Sequence, residues 1–192
     1  MDWIETLDKN LFLFLNGFHS SFFDLFFSWT NKVITWIPLY LLFLFLMIKK
    51  FRSKSWIPLV MTAILVVSTD QSSVLIKNSV KRYRPSHHLQ IKEKTHLIQQ
   101  EKGGQFGFVS SHASNIWGIA VFIILVLKVK DKKALALLLF WAMVVSYGRI
   151  YSGVHYPLDV IGGALLGIGI AYVIFKVLTR LLPQFYTREI KL

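Results

Sequence analysis

Three short stretches of this 192-residue chain carry the side chains that could do chemistry. KNSVKRYRP (77–85) supplies Lys77 and Arg84, GFVSSHASN (107–115) supplies Ser110, Ser111 and His112, and GRIYSGVHYPLD (148–159) supplies Arg149, His155 and Asp159. Lysine offers a point charge, and arginine a planar fork that matches phosphate oxygens. Ser110 or Ser111 can cap a helix, which leaves backbone N–H groups facing outward where anions collect. His155 and Asp159 stand four residues apart across a helix start. The carboxylate can therefore accept the Nδ1 proton and leave Nε2 free as a nucleophile. Each cluster also has a plain structural reading: cations snorkelling at a membrane edge, a helix cap, or an Arg149–Asp159 ion pair with His155 as a spectator. Phosphate, with a charge of roughly −1.5 to −2 near neutral pH, would answer all three at once. The set reads as a phosphate cradle with one histidine to attack and another, His112, to act as acid.

The elements that must hold these groups are apolar. The chain is 54% hydrophobic and 15% aromatic with only 17% charged residues, and the apolar residues come in blocks. A helix needs roughly 20 mostly apolar residues to span a bilayer. Segments at about 29–48, 56–76, 109–127, 134–151 and 158–182 meet that need. They predict an all-α, polytopic transmembrane bundle of five to six spans. The sixth would be 11–29, which Asn16, Gly17, His19 and Asp24 interrupt and which could instead lie in the interface. The acidic start MDWIETLD with no small-residue cleavage site argues against a signal peptide. Lys77 then closes the second span and 107–115 opens the third. Arg149 closes the fourth, and Pro157 suits the first turn of the fifth. Lys77 and Arg84 are expected to share a helix face, with Pro85 holding Arg84 at the junction to the loop. Gly162, Gly163, Gly167 and Gly169 are spaced for close helix packing.

Under this topology all three clusters meet at one rim. KKFRSK (49–54) and KVKDKK (128–133) read as short cytoplasmic turns, with Arg180, Arg188 and Lys191 on the same side. The other side carries Lys81, Arg82, Lys92, Lys94 and Lys102 besides the cradle residues. Either the orientation is inverted or these cations are kept outside for a purpose; the gathering of polar groups there favours an extracytoplasmic site. Net charge of +12 would suggest nucleic acid in a soluble chain. Here the basic residues lie between spans, so the expected partners are the bilayer and a phosphorylated membrane lipid, not nucleic acid. The 85–108 connection is long enough to suggest a functional loop. Cysteine is absent, and His87, His88 and His96 lack a carboxylate to complete a metal set. Asp70, seven residues before Lys77, reads as a structural polar contact within the bundle.

The pattern Lys77-x6-Arg84-Pro85, Ser110-x-His112, Arg149-x5-His155-x3-Asp159 resembles the type 2 phosphatidic acid phosphatase family. This resemblance spans 77–159 and implies one integral-membrane phosphatase domain over 1–192, with N-terminal apolar or interfacial helices over 1–31. It implies that His155 forms a phosphohistidine with Asp159 orienting it, and that His112 protonates the leaving oxygen and then activates water. Lys77, Arg84, Ser110, Arg149 and the Ser111 backbone would hold the phosphate, with no metal or other cofactor. Two positions depart from the family's usual pattern. Val109-Ser110-Ser111-His112 stands for Pro-Ser-Gly-His, and Gly148 stands where a serine precedes the arginine. Undecaprenyl diphosphate is the lead substrate on the strength of the extra cations. The alternatives are phosphatidylglycerophosphate, phosphatidic acid or a lipid A phosphate, and, in a different class, a catalytically silent lipid-binding or transport protein.

Overall fold

The computed structural model describes residues 2–184. Arg188 and Lys191, which the sequence assigns to the side of the basic turns, lie outside the described residues. Regular structure is helical, as expected. The helices are α1 (Asp2–Gly17), α2 (Ser21–Thr30), α3 (Ile37–Phe51), α4 (Trp56–Val80), α5 (Ser111–Leu127), α6 (Lys132–Tyr151) and α7 (Pro157–Leu181).

Among the described residues, four segments are each long and apolar enough to cross a membrane: α3 with its flanking turns (Val33–Lys54), α4, α6 and α7. At 25 residues each, α4 and α7 run roughly 37 Å, more than the ~30 Å of hydrocarbon they must cross. α5 is shorter, with 17 residues. Residues 11–29 are not one straight helix: α1 and α2 meet at a 110° bend, and the pair has the length and apolarity of a broken span or a re-entrant loop. The break follows from side-chain competition at Asn16 and Ser20. The Asn16 amide donates to the carbonyls of His96, Ile150 and Tyr151, and its oxygen accepts the His96 N–H. Ser20 caps α2 by accepting the Phe23 N–H.

α5 is the core helix, burying Ala113, Ile116, Ala120, Phe122, Ile123 and Val126. It packs most closely on α7. A Cβ at Gly167 would stand 2.0 Å from the Ser114 carbonyl oxygen, and one at Gly163 would stand 2.4 Å from that of Ser110. Backbones can approach this closely only where side chains are absent. Of the four glycines read as a packing stripe, only these two serve the helix crossing. Gly162 faces Phe108 and Val109, and Gly169 has nothing within 4 Å. Outward faces stay apolar, with Leu41 and Phe45 of α3, Val60 and Val67 of α4 and Leu165 and Val173 of α7 exposed. That is the distribution a lipid solvent demands.

The antiparallel helices sort the chain into two ends. At one, Lys50 Nζ donates to the Val126 carbonyl at 2.9 Å, and Phe51, Leu127 and Leu182 share a cluster. The turns 49–54 and 128–133 therefore lie together. At the other end lie the C-terminus of α4, the N-terminus of α5, the C-terminus of α6 and the N-terminus of α7, where the three motifs meet.

Candidate active site

α4 stops at Val80 because Lys81 adopts a left-handed conformation (φ 52°) and returns its N–H to the Lys77 carbonyl. The chain then runs extended. Tyr83 bridges Phe106, Arg84 N–H donates to the Gln105 carbonyl at 3.1 Å, and Gly107 N–H donates to that of Arg82 at 2.8 Å. In extended backbone alternate residues share a face. Arg82 and Arg84 therefore both turn inward, while Tyr83 stays exposed. Arg84 thus does not extend the Lys77 face of a helix, as the spacing suggests; the 82–107 ladder delivers it instead.

His155 lies in the turn 152–156, which folds back so that the His155 N–H donates to the Arg149 carbonyl at 3.3 Å. Pro157 opens α7, as expected, and Asp159 sits in its first turn. The Asp159 carboxylate is fully buried. Its Oδ2 accepts the Tyr156 N–H at 3.0 Å and faces His155 Nδ1 at 3.4 Å. Its Oδ1 accepts from Arg82 Nη1 at 2.8 Å. The carboxylate's cation is therefore Arg82 and not Arg149, which removes the alternative of an Arg149–Asp159 pair. Arg82 also donates through Nη2 to Asp8 at 2.7 Å, and Asp8 accepts the Leu158 N–H at 3.0 Å. The Arg82 guanidinium lies 4.2 Å from the centre of the Tyr156 ring. Burial, reinforced by Arg84, Arg149 and Lys77, holds His155 well below the usual imidazole range, so its ring is neutral near pH 7.

The helix start at 110–115 is tied to the same point. Ser110 is the N-cap: its Oγ accepts the Ala113 N–H at 3.4 Å, leaving its own proton free. Its backbone N–H donates to the Asp159 carbonyl at 2.9 Å. Ser111 begins α5, and its Oγ meets both Lys77 Nζ and Ser73 Oγ. Arg84 donates to the carbonyls of Phe106 and Val154. Buried Arg149 Nε has no hydrogen-bond partner. Among the described residues, Lys77, Arg84 and Arg149 form no ion pair with a carboxylate. Three cations within electrostatic reach of two histidines, none of them paired directly with a carboxylate, make a site for an anion.

Two hollows meet at exposed His112. One is an apolar groove of about 690 Å³ between α3, α4 and α5, walled by Tyr40, Phe43, Met47, Val66, Ile119 and Ile123 and ending at Arg84, Ser111 and His112. Asp70 lines this groove; its charge acts on Lys77, and among the described residues its side chain makes no hydrogen bond or close ion pair. The other is a polar cavity of about 260 Å³ reaching His112 and Arg149. Lys81, Lys92, Lys94 and Lys102 are exposed and line neither hollow, so they add nothing to the cradle. His96 is occupied by Asp24 at 2.8 Å and stacks on His19. Among the described residues, no three His, Cys, Asp or Glu side chains gather as a metal set.

All eight residues singled out in the sequence come to this end of the bundle. The sequence reading missed Arg82, Asp8 and Asn31. Arg82 carried a signal, since it stands two residues from Arg84 and shares its face. Asp8 is one of three acids in α1, with Asp2 and Glu5, and nothing in the sequence pointed to its partner 74 residues away.

Comparison with known proteins decides the lineage. A family model described as the PAP2 superfamily matches residues 54–183. The chain belongs to the PAP2 superfamily. It is accordingly a multi-pass membrane protein and a metal-independent phosphatase of phosphorylated lipids. A lipid A 4′-phosphatase of Bacteroides thetaiotaomicron is 36% identical over 172 residues, 87% of this chain and 75% of that one. A lipid A 4′-phosphatase of Porphyromonas gingivalis is 33% identical over 181 residues, 92% of this chain and 75% of its own length. An undecaprenyl-diphosphatase of Sulfolobus acidocaldarius is 30% identical over 172 residues, 90% and 75% of the two chains. Among solved structures, Aquifex aeolicus LpxE superposes with a TM-score of 0.68 at 26% identity, over 88% of this chain and 95% of that one.

The two departures from the usual PAP2 pattern have local accounts here. Ser111 has no positive φ, so a glycine is not required there, and its hydroxyl engages Lys77. Gly148 leaves a space that Asn31 of the N-terminal segment fills: a Cβ at Gly148 would stand 2.7 Å from Asn31 Oδ1.

Proposed function

We propose that this PAP2 phosphatase removes a phosphate monoester from a lipid A-type glycolipid through a phosphohistidine on His155. The observation that carries the reading is the set of three cations without a direct carboxylate partner, Lys77, Arg84 and Arg149, around a buried His–Asp pair beside exposed His112. His155 Nε2 attacks phosphorus as the bond to the lipid oxygen breaks, and His112 delivers a proton to that oxygen. Water then attacks the phosphohistidine, His112 takes its proton, and phosphate leaves with His155 restored. Asp159 fixes the ring through Nδ1 and offsets its charge. Lys77, Arg84, Arg149, the Ser110 hydroxyl and the Ser111 N–H hold the phosphate oxygens as charge develops.

For the substrate, the likeness to two lipid A 4′-phosphatases weighs above that to an undecaprenyl-diphosphatase. The cations that favoured a diphosphate do not support it, since Arg82 is spent on Asp8 and Asp159 and the lysines lie outside the hollows. The apolar groove suits acyl chains that stay at bilayer depth while the phosphate reaches Arg84 and Ser111. We also propose that this end of the bundle is extracytoplasmic, because the short basic turns lie together at the other end. A panel of lipid A, undecaprenyl diphosphate, phosphatidylglycerophosphate and phosphatidic acid, assayed for phosphate release in detergent, tests the reading. Lipid A is expected to show the highest kcat/KM, with turnover abolished in His155→Ala and reduced at least about a hundredfold in His112→Ala. A preference for undecaprenyl diphosphate, or variants as active as wild type, would overturn it.

A further inference from the structure

Two polar contacts, four residues apart, hold α4 and α5 in register. Ser73 Oγ meets Ser111 Oγ at 2.6 Å beside Lys77, and one turn deeper Thr69 Oγ1 donates to Asn115 Oδ1. The deeper contact lies about 6 Å along the helices from the level of Ser111, towards the middle of the bilayer. Asp70 follows Thr69 on α4, and Asp70 and Asn115 both line the apolar groove. Among the described residues, neither the Asp70 carboxylate nor Asn115 Nδ2 has a hydrogen-bond partner. Both side chains are only half-buried, and these atoms stay accessible where the groove passes them. The charge of Asp70 acts on Lys77 only at a distance, roughly 10 Å along α4. Around them the groove wall is apolar, with Phe43, Val66, Ile119 and Ile123. A bare hydrocarbon chain lying there would leave an acceptor and a donor unpaired at bilayer depth, which is costly. An ester link only accepts, so it offers the carboxylate nothing. An amide N–H or a hydroxyl donates to Asp70, and the oxygen that accompanies it can accept from Asn115.

We infer that Asp70 and Asn115 form a specificity subsite in the lipid groove for a hydrogen-bond-donating group, an amide N–H or a hydroxyl, at the point where the acyl chains begin. The inference rests on the proposed phosphatase site and adds what selects among its lipid substrates. Lys77, Ser111 and His112 serve the phosphate, and one turn deeper Asp70 reads how the chains are linked. A site built to accept a proton discriminates against the analogue that lacks it, because its own acceptor is then left unpaired. The charge that Asp70 places near Lys77 acts on every phosphate substrate alike, so the two effects separate in a substrate ratio.

The test compares two lipids of matched chain length in mixed micelles. Ceramide 1-phosphate carries an amide N–H and a hydroxyl, whereas phosphatidic acid has only ester links. The ratio of their kcat/KM values is expected to favour ceramide 1-phosphate by about tenfold in the wild type. Asp70→Leu removes the acceptor and should bring the ratio down by about tenfold. Asp70→Asn loses the charge near Lys77 but keeps an acceptor oxygen, and should hold the ratio within about threefold of wild type. A 3-deoxy analogue of ceramide 1-phosphate identifies the donor: preference kept assigns the amide, preference lost assigns the hydroxyl, and either supports the subsite. A wild-type ratio near one, or a ratio unchanged in Asp70→Leu, overturns the subsite and leaves the phosphatase reading standing, since both lipids are hydrolysed. Release from neither lipid overturns the subsite, and the same result with lipid A overturns the phosphatase reading as well.

Discussion

Arg82 gives the account its sharpest exposure, because nothing in the three motifs names it. Replacing it with leucine strips a donor from each of two carboxylates, Asp159 at 2.8 Å and Asp8 at 2.7 Å, whose side chains are 0% and 2% exposed. Removing one partner of a buried ion pair costs about 3–5 kcal/mol, chiefly because the abandoned charge stays buried. The penalty is partly relieved if Asp159 takes up a proton. A protonated Asp159 still meets the Tyr156 N–H, yet it can no longer offset positive charge on His155. Losing that offset in the transition state is expected to lower kcat by on the order of 10²-fold, or about 2.7 kcal/mol, with KM changed far less. Phosphate release in detergent gives kcat and KM, and thermal unfolding of the same samples gives stability. The double variant Arg82→Leu/Asp8→Asn removes one of the two abandoned charges. It should recover part of the stability and none of the kcat. A kcat for Arg82→Leu within threefold of wild type, in protein that still unfolds cooperatively, would refute the idea that Arg82 sets the charge of the His–Asp pair.

Other expectations follow from single contacts. Gly107→Ala would set a Cβ 2.7 Å from Asp159 Oδ2 and 3.2 Å from Arg84 Cγ. Displacing either group should cost roughly 1–3 kcal/mol of stability and at least tenfold in kcat/KM, read by the same assays. His155 is held neutral by burial and three cations, so its ¹⁵N resonances, assigned with His155→Ala, should stay in the neutral form as pH falls through 6.5 and protonate only well below it. A titration centred near 6.5 would contradict the burial of the nucleophile. Ile119→Trp, in the apolar groove, should raise KM for a long-chain lipid phosphate relative to a short-chain soluble one, by about tenfold in a competition assay.

What the sequence made legible was set by periodicity and short-range spacing. The spans announced themselves through apolar runs, and Ser110-x-His112 and His155-x3-Asp159 each straddle a helix start, where short spacing keeps the pair together. The bend in the N-terminal segment lay beyond such short-range signals. Asn16 breaks 11–29 by binding His96, Ile150 and Tyr151, which lie 80 to 135 residues away. Asn31 and Asp8 likewise owe their places to tertiary contacts, with Ser152 and Gly148 in one case and Arg82 in the other. Arg84 came out right in place and wrong in support: the αL turn at Lys81 ended the helix early, and a strand-like ladder replaced it. Gly148 looked like a lost hydroxyl in the sequence, whereas in three dimensions it is the gap that admits the Asn31 amide.

The central claim is that His155 carries the phosphoryl group. Its most direct test is to mix the protein with ³²P-labelled lipid substrate, quench in alkali, where phosphohistidine survives, and map the label by peptide sequencing. Label on the peptide containing His155, formed within one turnover and absent in His155→Ala, is the predicted result. Turnover in the wild type with no trapped label at any time point, or label on a different residue, would contradict it.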